Sequence, residues 1–235
     1  DGNTDVYTMP VTGGVPVRLT WNAAPDRVVD WHPDGKRILF ASARESGFRV
    51  NQLYLVSVKG GLAEKLPIPY GEIGSFSPDG NSIAYVTKMT ENFPFKRTRS
   101  GYASDVYLFD LKKGTADNIT KSDATEGKPI WVNNKVYYVS DAGVNGRRNL
   151  WMYDTDKKTK EQITKFTDID INHMSAGPDD IVFAAGGRLY LLNLSSNKYS
   201  EVKINVVADL STLMPRTVNV GNNIYNYDLS PDAKR

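Results

Sequence analysis

The chain has two histidines, His32 and His173, and no cysteine. Nucleophilic hydrolysis needs a serine set against a histidine that an acid orients. No Gly-x-Ser-x-Gly elbow is present. His32 stands in Trp-His-Pro-Asp-Gly, where a related string carries Ser77-Pro-Asp-Gly, so it reads as a turn-entry residue; His173 reads the same way in its own repeat. Without cysteine, neither a disulfide nor a thiolate metal site can form. Asp1-Gly2-Asn3-Thr4-Asp5 opens like a calcium loop, but Val6 stands where that loop needs glycine and Thr12 where it needs glutamate. The alternation of Asp168, Asp170 and Asn172 reads as a loop, and no glycine-rich phosphate loop occurs. The expectation is a chain with no catalytic residue, no metal and no cofactor of its own.

Charge is more informative by position than by total. The net charge of +2 does not by itself argue for nucleic acid. Three long segments between apolar stretches, residues 43–51, 88–103 and 141–149, carry +1, +3 and +1. The rest of the chain is therefore net acidic. Arg44, Arg49, Lys96, Arg97, Arg99, Arg147 and Arg148 are the candidate binding residues, and Phe93, Phe95 and Tyr102 add apolar area to the longest segment. Three readings stay open: ordinary solvated charge; a docking patch for another domain, a subunit or acidic peptide ends; and a surface that stacks nucleic acid bases. Nucleic acid is the least favoured, and a steep salt dependence with oligonucleotide alone would point to it.

These segments need a scaffold, and an internal repeat supplies one. Five windows align without a gap on Tyr7, Tyr54, Tyr107, Trp151 and Tyr190. Each runs from a short apolar stretch into a turn and returns to an aliphatic: Leu19, Leu66, Ile119, Ile163 and Val202. The turns hold Gly13-Gly14, Gly60-Gly61, Lys113-Gly114, Lys157-Lys158 and Ser196-Asn197. Glycine tolerates a positive φ there, so the two turns without it are expected to be longer or strained. Between the windows lies a second hairpin pattern. Its turns fall at Asp34-Gly35, Asp79-Gly80, Asn133-Asn134 and Asp179-Asp180, with Asp232-Ala233 as a fifth, truncated case. Two hairpins make four strands, and the anchors recur about every 46 residues, the period of one β-propeller blade. The expected class is all-β: a β-propeller of four-stranded antiparallel blades, about five repeats, beginning inside a blade. Residues 1–213 are assigned to blades and 214–235 to a crossing into a following blade or second propeller. Each long basic segment then joins the inner hairpin of a blade to its outer one, so all three emerge on one face.

The strings DVYTMPVTGGVPVRLTW (5–21), WHPDGKRILFAS (31–42), ITKSDATEGKPIW (119–131) and LSPDAKR (229–235) resemble the PD40 group of propellers, which includes TolB. They are most similar to the tricorn protease family. That resemblance covers nearly the whole chain. It implies a segment of a six-bladed ring in a serine peptidase whose catalytic residues lie downstream. It also implies a role in guiding or filtering peptides, contacts with other domains or subunits of the same protein, a homo-oligomeric parent, and a cytoplasmic location. A stand-alone periplasmic propeller of the TolB type, acting by protein contacts, is the alternative. No apolar run approaches the roughly 18 residues a membrane helix needs, and the first residues lack the basic and apolar regions of a signal peptide.

Overall fold

A computed structural model describes residues 2–46, 50–88, 99, 101, 103–205, 207, 214–224, 228 and 230–232. A two-stranded hairpin, β1 (Tyr7–Thr8) and β2 (Val17–Arg18), comes first. Four blades follow, each a four-stranded antiparallel meander. Blade I is β3 (Asp26–Trp31), β4 (Arg37–Ser42), β5 (Gln52–Ser57) and β6 (Glu64–Lys65). Blade II is β7 (Ile73–Phe76), β8 (Ser82–Val86), β9 (Val106–Asp110) and β10 (Thr115–Asn118). Blade III is β11 (Glu126–Val132), β12 (Lys135–Ser140), β13 (Asn149–Asp154) and β14 (Thr159–Gln162). Blade IV is β15 (Ile171–Ala176), β16 (Asp180–Ala185), β17 (Arg188–Asn193) and β18 (Lys198–Glu201). The only helical pieces among the described residues are 3-10 turns at Val144–Gly146 and Gly221–Asn223. The chain divides into two compact units, Asp1–Val202 and Lys203–Arg235.

Successive side chains of a strand point to opposite faces, and both faces of these sheets are covered. In β4, Ile38 and Phe40 pack with Val6 and Leu19 of the first hairpin, while Leu39 and Ala41 pack with Phe76, Ile83 and Tyr85 of blade II. Hence every residue from Ile38 to Ser42 is buried. The cores lie at the seams between blades. Blade II meets blade III through Ala84, Val86, Val106, Val136 and Tyr138. Blade III meets blade IV through Tyr137, Val139, Leu150, Ile181 and Phe183. Each such side chain, fully buried, contributes about 1.5–3 kcal/mol. The innermost strands contact one another in order, β3 with β7, β7 with β11, and β11 with β15, so the blades stand in a ring around an axis.

Side chains close the turns. Ser77 Oγ donates to Asp79 Oδ1 (2.6 Å) and accepts from the Ser82 N–H (2.9 Å), and Gly80 takes φ +69°. Ser230 Oγ donates to Asp232 Oδ1 (2.5 Å) in the same Ser-Pro-Asp string of the second unit. In blade I the imidazole of His32 takes the serine's part, its Nδ1 accepting from the Asp34 N–H (3.2 Å). The outer turns correct one expectation about length. Asp110–Thr115, Asp154–Thr159 and Asn193–Lys198 are paired residues that close turns of equal length. Lys158 (φ 55°) and Asn197 (φ 52°) take the left-handed conformation that Gly114 (φ 66°) holds in blade II. The Asp154 carboxylate accepts N–H bonds from Asp156 (3.0 Å) and Lys157 (2.9 Å), as Asp110 does from Lys112 (3.0 Å) and Lys113 (2.9 Å) in the turn that has glycine. A second correction concerns His173. It lies within β15, paired with Ala184, and Gly177 occupies the turn-entry position instead.

Candidate functional site

Two regions of the propeller unit could recognise a ligand. The first is the axis. Parts of β3, β7, β11 and β15 line a cavity of about 400 Å³ that includes Asp30, Ser75, Lys128, Trp131, Met174 and Ser175. Ser75 ties three innermost strands together. It bonds to the Asp30 carboxylate, and its Oγ accepts from the Trp131 N–H (3.2 Å). Burial raises the Asp30 pKa, and the hydrogen bonds from the Trp31 N–H and Ser75 oppose that rise. Lys128 Nζ lies 3.4 Å from His173 Nδ1. Bulges interrupt β3 between Val28 and Asp30, β11 between Gly127 and Ile130, and β15 between Ile171 and His173. Such bulges re-aim side chains at the rim of a site. The axis thus presents a carboxylate from one strand, and an ammonium and an imidazole from two others.

The second region is the face bearing the long loops. Of the seven basic candidates, Arg44, Arg99, Arg147 and Arg148 are described; Arg49, Lys96 and Arg97 lie outside the described residues. Arg44 Nη2 bonds to Asp26 Oδ2, and its guanidinium sits 4.9 Å from the Phe40 ring and 5.1 Å from the Tyr54 ring. Arg99 Nη1 donates to Asp141 Oδ1 (2.8 Å). Arg147 Nη1 lies 3.5 Å from Asp170 Oδ2, and the Arg148 N–H donates to Asp170 Oδ1 (2.9 Å). The side chains of Asp26 and Asp141 are 0% and 2% exposed, so burial makes these pairs matter to the loops they hold. Much of the positive charge counted along the loops is thereby met by carboxylates from strand starts and loop ends.

Sequence reasoning missed those carboxylates and also a recurring clasp. Thr20 Oγ1 accepts from the Val6 N–H (3.0 Å) and donates to Asp5 Oδ1 (3.4 Å). Thr120 does the same for Val106 (3.1 Å) and Asp105 (2.8 Å), and Thr164 for Leu150 (2.9 Å) and Asn149 (2.8 Å). The spacing of fifteen between acid or amide and threonine was available in the aligned windows. Blade I departs from it: Pro67 stands at the threonine position, and Gln52 Nε2 donates to the Pro69 carbonyl instead (3.1 Å).

His32 is buried against Phe76, with ring centroids 4.6 Å apart, and Asp34 and Arg37 take up its nitrogens. Among the described residues, no group of three or more His, Cys, Asp or Glu side chains could hold a metal ion. No helix among them is long and apolar enough to cross a membrane. The family model "Tricorn protease N-terminal beta propeller domain" matches residues 1–198. The chain belongs to the tricorn protease N-terminal propeller family. A tricorn protease homolog of Saccharolobus solfataricus is 25% identical over 218 residues, covering 92% of this chain and 20% of that protein. Tricorn protease homolog 1 of Streptomyces coelicolor is 24% identical, covering 82% and 18%. The chain thus spans about a fifth of the tricorn relatives it matches. TolB from Acinetobacter baumannii shares the fold, with a TM-score of 0.62 at 16% identity over 83% of this chain and 47% of that one. A tricorn protease crystal structure matches with a TM-score of 0.50 at 17% identity over 87% of this chain and 25% of that one.

Proposed function

We propose that this chain is a non-catalytic propeller domain that guides or filters peptides for a larger tricorn-like serine peptidase and docks onto other parts of that protein. One observation carries the reading: the innermost strands of four blades enclose a cavity of about 400 Å³ with a carboxylate, an ammonium and hydroxyls on its wall. A polar lining lets an extended peptide exchange water for wall contacts without sticking. Filtering of this kind needs no nucleophile. The loop face supplies the docking surface; among its described arginines Arg99, at 42% exposed, reaches solvent further than Arg44 at 12% and Arg147 at 32%. The isolated chain is expected to cleave no peptide. In the full-length parent, Ser175→Trp narrows the axis from an exposed lining position and should slow turnover of long peptides while sparing a dipeptide-sized chromogenic substrate. Peptidase activity in the purified chain, or unchanged turnover of long peptides, overturns the reading.

A further inference from the structure

The charged groups at the axis stand at two levels, and the strand register fixes which. Phe40 faces Tyr54, Tyr138 faces Trp151 and Phe183 faces Tyr190 in blades I, III and IV. The residue just before each of these aromatics, Leu39, Tyr137 or Val182, faces Asp30, Ile130 or Ser175 on the innermost strand. Asp30 and Ser175 therefore share one level of the axis, and Lys128 and His173 lie two residues before it. Innermost strands start at the loop face: Asp26 pairs with Ser42 and Glu126 with Ser140, and those serines end the strands from which two of the long loops leave. Lys128 and His173 are thus nearer the loop face, and Asp30 is nearer the inner turns. Two residues of strand rise separate the levels by about 7 Å.

Local structure aims both charges. Lys128 lies in the bulge of β11, where Gly127 pairs with Val139 and Ile130 with Tyr137, leaving one residue too many on the inner strand. It takes φ 51°, a conformation unfavourable for any residue with a Cβ. Its ammonium lies 3.4 Å from His173 Nδ1. Asp30 Oδ1 accepts from the Trp31 N–H (2.8 Å), and Ser75 bonds to the same carboxylate. Asp30 and Lys128 both belong to the wall of the cavity of about 400 Å³, whose other residues include Val29, Ile73 and Met174. An ammonium towards one end of a cavity and a carboxylate towards the other make a dipole. A ligand that matches it carries a carboxylate and an ammonium in the opposite order, as a peptide with two free ends does. An extended peptide spans about 3.3–3.6 Å per residue, so two or three residues cover the offset between the levels and the width across the axis.

We propose that the axis holds a peptide of two or three residues by both ends, its α-ammonium on Asp30 and its α-carboxylate on Lys128, with the C-terminus towards the loop face. The inference rests on the reading of the axis as a peptide passage and adds the direction in which a peptide lies there. Apolar wall residues between the two contacts meet side chains without selecting among them, so recognition falls on the termini. A peptide too long to reach both charges at once meets only one of them.

Calorimetric titration of the whole chain at neutral pH tests this, using trialanine, N-acetyl-trialanine and trialanine amide. Trialanine should bind, and blocking either end should weaken binding by about tenfold, the worth of one charge-assisted contact. Asp30→Asn should remove the preference for a free ammonium, and Lys128→Gln the preference for a free carboxylate. Each variant should leave binding of the correspondingly blocked peptide unchanged, whereas damage to the fold would weaken all three peptides alike. Equal binding of blocked and free peptides, preferences that survive the substitutions, or no binding of trialanine at millimolar concentration each overturns the proposal. The passage reading fails on a different result, unchanged turnover of long peptides in the parent carrying Ser175→Trp.

Discussion

Glu126→Gln should leave stability unchanged below pH 4.5 and stabilise the propeller increasingly as pH rises from there towards 7. The Glu126 carboxyl is held in the fold by Ser122 and Ser140, with one oxygen unpartnered and Asp105 and Asp141 nearby. Burial is the leading cause that lifts its pKa from 4.5 to about 7. A carboxyl whose folded pKa lies above its unfolded one favours the fold when protonated. That contribution is complete below the unfolded value and is lost as pH rises through the folded value. One unit is worth about 1.4 kcal/mol, so the wild-type chain should lose about 3 kcal/mol from this group between pH 4.5 and pH 8. Glutamine copies the shape of the protonated acid and cannot ionise. Urea unfolding followed by tryptophan fluorescence at about pH 4 and about pH 8.5 would give the variant nearly the same stability as the wild type at the lower pH. At the higher pH the variant should lead by about 3 kcal/mol, or roughly 6–12 °C in Tm for a chain of this size. An equal difference between variant and wild type at both pH values would refute the reasoning, because it would mean that Glu126 does not titrate differently in the folded and unfolded states.

Thr164→Val keeps the shape of a residue that is 0% exposed but removes the hydroxyl serving the Leu150 N–H and Asn149. It should cost about 1–3 kcal/mol in urea unfolding, whereas Thr159→Val on the exposed outer strand should stay within about 0.5 kcal/mol. Arg44→Met leaves the Asp26 carboxylate buried without its guanidinium. A loss of about 3–5 kcal/mol is expected, and Arg44→Met with Asp26→Leu should recover most of it. A double variant as unstable as the single one would mean that Arg44 acts only through its packing on Phe40 and Tyr54.

The blades were legible because their information is local. Apolar alternation marks strand faces with period two, and the Asp-Gly and Pro-Asp strings demand particular φ values within four residues. The windows anchored on Tyr54, Tyr107, Trp151 and Tyr190 became the third and fourth strands of complete blades, and the one on Tyr7 became the lone hairpin β1–β2. His173 was misread by position: Gly177-Pro178-Asp179 is the string that matches His32-Pro33-Asp34, and His173 lies ahead of it within β15. Lys158 was expected to strain its turn. Its turn has the same length as the Gly114 turn, and Lys158 itself takes the left-handed φ of 55°.

By itself, the sequence determined that this is a run of propeller blades with no nucleophile–histidine pair, and it located the loops on which recognition could occur. Only the tertiary structure decided which loop charges are spent within the fold. Arg44 meets Asp26 across 18 residues, Arg147 meets Asp170 across 23, and Arg99 meets Asp141 across 42. Such partners are brought together by blade packing, and charge counted along a chain carries no record of them. The same packing buried the Glu126 carboxyl against Ser122 and Ser140 with two aspartates nearby, and so set its titration. The reason is that a carboxylate's partners are chosen by the geometry of the packed blades, which brings together residues far apart along the chain.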